Sequence, residues 1–369
     1  MNKRIHNFDL LKSTIMLFII IWHSIVHGLN IAQEPIIFDF QSITSILNYF
    51  IIKLLMYITV IGVNCFILIT GHFMINYNKN IWPRFFKIWG VTSFYSLLIS
   101  FIFYICNLTT YGLGGVVFSA FPIYNGEYWF VTKYLGLIIL VPFLIKISNK
   151  LTQKEFLIGI ISLSILTIYI PPFLNYGNIY SGPNNLLFFI NLFYIGGYIA
   201  QYNPFSNSKR IGSLFLLLVL FLSMYDLIFS LYNNKIYQQD IYLKIDDKLS
   251  NNNITFISSI LFFLYFKYQK IKISKITNLI INTTPYTFGI YLIHENDEIR
   301  KFLWNNLNLS FQHETACFII IILLYSVLIY CICVLIDYFR KKCQRLLHID
   351  RFIENISYKI DKSKSHYFF

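Results

Sequence analysis

HNFDLLKSTIMLFIIIWHS, residues 6–24, has the length and apolar character of a membrane-spanning helix, yet Asp9, Lys12 and His23 sit in it or against it. In hydrocarbon an unpaired charge is costly, or changes its protonation state instead. A cation near one end of such a helix and an imidazole near the other therefore ask for a reason.

Working outward, roughly 20 apolar residues cross a bilayer core, and ten such runs are legible. They lie near 8–27, 46–75, 83–106, 127–147, 155–171, 184–201, 211–232, 254–268, 279–294 and 315–339. The second is long enough to be tilted or broken, the eighth and ninth are short, and the proline-bearing stretch 170–183 reads as a loop. Composition agrees. Of 369 residues 56% are hydrophobic and only 13% charged, about half the charge content of a soluble domain.

The net charge of +13 is a matter of topology. With the N-terminus inside, 22 of the Lys and Arg residues fall in inner segments and five (Lys235, Lys244, Lys248, Arg300, Lys301) in outer ones. That alternation places both termini in the cytoplasm, with anionic lipid at the inner face as the partner of the basic excess; no nucleic acid is needed. The expected fold is all-α, a polytopic membrane protein of about ten transmembrane helices. Residues 1–339 form the membrane domain, and 340–369 a short basic cytoplasmic tail with an amphipathic start. The first run is too long for the core of a signal peptide, and no small-residue cleavage site follows it. The six cysteines show no CxxC or zinc-type spacing and read as packing residues.

Function should lie with the polar residues inside the spans. Lys12 and His23 are separated by about 16 Å along a helix, too far for a contact but suited to an elongated ligand with an anionic head at the inner face. Equally, Lys12 can snorkel to the interface and His23 can bond a neighbouring helix. In PRFFKIW (83–89), Arg84 and Lys87 share a helix face just past Pro83. There they form either a phosphate seat or a topological anchor. His27 follows His23 at i+4, but no third metal ligand has an obvious spacing, so no metal is expected. Glu127 either pairs with Lys133, orients His23 or faces a loop; His294 ends its span at the outer interface. Lys53 and Asp226, both in outer halves of spans, fit as partners of each other.

These stretches resemble the acyltransferase-3 family of bacterial integral-membrane O-acyltransferases. The opening matches its Arg/Lys-x10-His pattern through Lys12 and His23, with Asp9 in its usual place. VNCFILITGHFM (63–74), PRFFK (83–87), YWFV (128–131) and FGIYLIH (288–294) follow in family order. The departures are Thr70 and His72 around Gly71, and lysine for arginine at 12 and 87, which supplies charge without the bidentate fork. The resemblance implies a polysaccharide O-acetyltransferase type of enzyme in the bacterial plasma membrane, with His23 catalytic and Lys12, Arg84 and Lys87 at the acyl-donor site. Asp9, Glu127 and His294 are supporting residues. Acetyl-CoA, or another acyl-CoA, is then the donor substrate, with no bound cofactor, and the acceptor a cell-surface or capsular glycan or its lipid-linked precursor. Some family members append a hydrolase-like domain; without one, the membrane domain or a partner must engage the acceptor. A glycan or lipid exporter, or a non-catalytic partner of a polysaccharide machine, is the alternative.

Overall fold

The computed structural model describes residues 6–31, 33–170, 185–204, 208–237, 241–243, 253–269, 272, 274–307, 309–310 and 313–346. Its helices are α1 (His6–Val26), α2 (Ile43–Thr59), α3 (Gly62–Met74), α4 (Trp82–Ile105), α5 (Leu113–Phe118), α6 (Trp129–Ser148) and α7 (Gln153–Ser164). There follow α8 (Leu186–Tyr202), α9 (Ser208–Tyr237), α10 (Asn253–Tyr268), α11 (Lys275–Thr283), α12 (Thr287–His294), α13 (Asp297–Asn306) and α14 (Phe318–Leu346). Among the described residues the one sheet is an antiparallel pair, β1 (Ile36–Phe38) with β2 (Ile241–Leu243), in which Ile37 faces Tyr242.

Among the described residues, six helical stretches are long and apolar enough to cross a membrane: His6–Val26, Ile43–Met74, Trp82–Ile105, Trp129–Ser148, Arg210–Ile236 and Phe318–Leu346. The other four apolar runs hold shorter or interrupted helices, namely α7, α8, α10 and the α11–α12 pair. The second run is broken by a turn at Val60–Ile61. In the ninth, a 3-10 turn at Thr284–Tyr286 separates α11 from α12. Pro285 supplies no N–H there, and such a break is tolerated at membrane depth only where it is buried in protein or lines a cavity. Here Thr284 Oγ1 donates to the Asp9 carbonyl at 2.9 Å, tying the break to α1. Of the loop expected at 170–183, residues 171–183 lie outside the described residues, as does the tail past Leu346.

The molecule wears its apolar residues outside. α9 exposes Leu217, Phe221 and Ile228, and α14 exposes Ile320, Leu324 and Leu328 at helical spacing. Water would not tolerate apolar faces of that extent; hydrocarbon does. Inside, helices are tied by small polar side chains, as between Ser24 and Ser326 (2.9 Å) and from Asn64 to Ser259 (3.0 Å). The expected Lys53–Asp226 pair is present at 3.3 Å, with the Tyr57 hydroxyl donating to the same carboxylate oxygen. α1 runs through the interior with Leu11, Ile15, Ile20 and Ile25 fully buried, against α2, α3, α10, α12 and α14.

α3 and α8 make the closest crossing, which glycine permits. A Cβ on Gly71 would lie 2.0 Å from the Phe193 carbonyl oxygen, and one on Gly196 would lie 2.1 Å from that of Leu68. Backbone cannot yield as a flexible side chain does, so Gly71→Ala or Gly196→Ala should force the helices apart. Overpacking of this kind costs about 1–3 kcal/mol, expected as a lower unfolding temperature of the detergent-solubilised protein. Gly90→Ala, where a Cβ meets nothing within 4 Å, should leave that temperature unchanged.

Candidate active site

A cavity of about 450 Å³ opens among α1, α3, α4, α6, α12 and α14. Lys12, Met16 and Ile19 form one face of α1 along it, and Arg84 and Lys87 line it from α4. The structure thus brings together the three cations singled out in the sequence. It adds two more, Arg340 and Lys341, at the end of α14. In the sequence these two open the basic tail.

Each cation whose contacts are defined is held by its stem or its neighbours. Lys12 Nζ sits 5.5 Å from the Phe73 ring centre and the Arg84 guanidinium 5.6 Å from that of Tyr77. Arg340 Nε donates to Asp337 Oδ1 at 2.6 Å, and the Tyr95 hydroxyl donates to the same oxygen at 2.7 Å. Lys341 donates to the Pro285 carbonyl at the helix break. Gly289 makes room for the buried carboxylate, since a Cβ there would fall 2.1 Å from Asp337 Oδ1. Beyond the cations the walls turn apolar, with Phe66, Ile69, Val91, Phe130 and Phe288. A polyanionic head with a slender arm matches that division.

His23 is one helical turn past Ile19 on α1, and it is not among the cavity-lining residues. It sits in a second cluster made by the α12–α13 corner. His23 Nδ1 lies 3.1 Å from His294 Nε2 and 3.0 Å from Glu295 Oε2. Arg300 holds the other oxygen of Glu295 at 3.0 Å and Asp297 at 2.5 Å. Burial opposes ionisation of Glu295, but His23, His294 and Arg300 outweigh it and hold the carboxyl down at about 2.

The hydrogen bonds set the tautomers. His294 Nδ1 is 2.6 Å from the Ile290 carbonyl, which can only accept, so that nitrogen carries hydrogen and Nε2 of the neutral ring offers a lone pair. His23 Nδ1, facing that lone pair and a carboxylate, is then a donor. Neutral His23 is left with a free lone pair on Nε2, the arrangement of a general base oriented by a carboxylate.

Glu127 does not touch His23. Ser96 donates to its Oε2 at 2.5 Å and Asn296 to its Oε1, while the Asn296 amide also reaches the Tyr128 hydroxyl at 3.1 Å. The carboxylate beside His23 is Glu295, which sequence reasoning passed over together with Arg300 and Asn296. Asn296 caps α13 by accepting from the Glu298 and Ile299 amides, and HENDEIR (294–300) carries that capping signal. His27 lies beside His23, with ring centres 5.4 Å apart. With Glu295 it provides the third potential ligand that spacing did not reveal, donor atoms of the three lying within 4.8 Å; Arg300 already neutralises that carboxylate. Asp9 lies in the first turn of α1, one turn before Lys12, where a negative charge complements the helix dipole.

Asn296 joins the corner to Glu127 and Tyr128, so Asn296→Ala removes a cap worth about 1 kcal/mol. It also strips buried groups of a partner, a further ~1–3 kcal/mol. A clear fall in unfolding temperature is expected, with Asn296→Ser, which keeps the cap alone, intermediate between the two.

Compared with family models, residues 5–338 match the acyltransferase domain. Neither the comparison with curated proteins nor that with solved structures gave a match. The family match takes in α1 through most of α14, and with it the His23 cluster and the cavity residues up to Asp337: the chain belongs to the acyltransferase-3 family and is a membrane acyltransferase.

Proposed function

We propose that the protein moves an acetyl or other short acyl group from cytoplasmic acyl-CoA to a hydroxyl of a cell-surface or capsular glycan, or of its lipid-linked precursor. One observation carries this reading: five cations gather at one end of a cavity whose apolar wall follows α1 to within a turn of His23. Acyl-CoA has that shape, with phosphates on a nucleotide at one end and a thioester at the end of a long arm.

The reading takes the ten-span topology of a plasma-membrane protein with both termini inside. All five cations then fall at the inner face, and the His23–Glu295 cluster in the outer half. The β1–β2 pairing supports it, because both strands come from connections assigned to the outer side. A sugar hydroxyl is too weak an acid to attack unaided. His23 Nε2 takes its proton as attack on the thioester begins, and Glu295 steadies the ring that becomes positive. Transfer through an acyl-His23 relay uses the same lone pair. Family membership favours this chemistry over a glycan conduit or a non-catalytic partner.

Donor binding and chemistry should separate on mutation. Replacing Arg84 and Lys87 with Gln removes charge-assisted contacts worth about 1.5–3 kcal/mol each, so the apparent KM for acetyl-CoA should rise about ten- to a hundred-fold per contact. Lys12→Gln should behave alike, and Lys12→Arg should be tolerated. His23→Ala should lower turnover and leave CoA affinity in place. Equilibrium CoA binding beside acyl transfer at saturating donor reads both. Normal CoA binding by the Arg84/Lys87 variant, correctly inserted, would make those residues anchors and move the donor site elsewhere.

A further inference from the structure

Between the cationic cavity and His23 stands Tyr291. It lines the cavity together with Phe130 and is 5% exposed; the Phe130 amide donates to its hydroxyl oxygen, and the hydroxyl hydrogen has no acceptor. Tyrosine is rarely buried without using its hydroxyl, so a group absent from the free protein is the natural acceptor. The backbone group beside it is the Phe130 amide. Phe130 is in the first turn of α6, where N–H groups have no intrahelical acceptor, and Tyr128 at the N-cap gives no side-chain cap. The Tyr128 hydroxyl is committed elsewhere, to the Leu292 carbonyl at 3.0 Å. The amide therefore occupies the phenol oxygen and leaves the phenol proton as the donor on the cavity wall.

The base is close by. The Tyr291 and His294 ring centres are 6.1 Å apart, and those of His294 and His23 are 5.2 Å apart.

Building on the acyl-CoA reading, we propose that the Tyr291 hydroxyl, polarised by the first-turn amide of α6 from which it accepts, is the oxyanion donor for the acyl carbonyl. In the step it serves, the acceptor oxygen bonds to the thioester carbon while His23 Nε2 takes the acceptor's proton. The carbonyl π pair moves onto oxygen, where the Tyr291 hydroxyl donates to it. Collapse re-forms the carbonyl and breaks the carbon–sulfur bond. The sulfur leaves with that electron pair and recovers the proton from His23, giving the ester and free CoA thiol. Donors placed where charge develops act on the transition state more than on the bound thioester.

The test is release of CoA thiol from acetyl-CoA by the full chain in native membrane vesicles, which retain their own acceptor. Tyr291→Phe keeps the ring and its packing against Phe130, and loses only the hydroxyl. Expected is a fall in kcat of about 100- to 1000-fold, the usual effect of removing one oxyanion donor. KM for acetyl-CoA, CoA affinity and the pH at half-maximal rate should stay as in the wild type, because His23 keeps its partners. Wild-type turnover in Tyr291→Phe overturns the oxyanion role alone. A loss accompanied by weaker CoA binding or a displaced pH profile also overturns it, in favour of a structural role. Wild-type protein that releases no thiol from any acyl-CoA overturns the donor reading and this proposal together.

Discussion

A carboxylate kept ionised while almost wholly buried is the constraint around which the histidine end of this protein is built. Glu295 is 4% exposed, and desolvation alone would neutralise it. Arg300 on one oxygen and His23 on the other keep it charged. To supply those partners, α12 must end where α1 passes, and α13 must turn back at once so that Arg300 reaches over the corner. Asn296 makes that turn by capping α13 and ties it to Glu127 and Tyr128. Removing a buried partner from such an arrangement costs more than the pair itself contributes, so the corner behaves as a unit.

The same segment is discontinuous for a related reason. The break at Pro285 gives up regular helix where the backbone borders the cavity, and the carbonyl of Pro285 receives Lys341. Gly289, one turn further, lets Asp337 and Arg340 approach from α14. One interrupted stretch therefore shapes both ends, the cationic mouth through Pro285 and Gly289 and the histidine cluster through His294 and Glu295. α1 spans the distance between them with Lys12 at one end and His23 at the other.

How much of this was legible in the sequence follows from what charge costs in each setting. Lys12 and His23 stood out because an apolar run surrounds them, and Arg84 and Lys87 because a proline marks a helix start beside them. Arg340 and Lys341 were hidden by a basic cluster of the kind that any inner flank carries. Glu295 looked like the first residue of a loop; only the packing of α12 against α1 reveals that it is buried. Tyr291 was one of 28 tyrosines, with nothing in spacing to separate it from the rest. The span count shows the same limit. Composition marks ten apolar runs, but among the described residues length and apolarity qualify six helical stretches as crossings. α7, α8 and α10 are too short, and the α11–α12 pair too interrupted, for composition alone to decide.

The most direct measurement is an electron cryomicroscopy structure of the full chain in lipid with an unreactive acyl-CoA analogue, its thioester sulfur replaced by a methylene. Expected are phosphates among Lys12, Arg84, Lys87, Arg340 and Lys341, the arm along Met16 and Ile19, and the carbonyl between Tyr291 and His23 Nε2. An analogue seated outside this cavity, or one in it with its acyl end directed away from His23, would contradict the account.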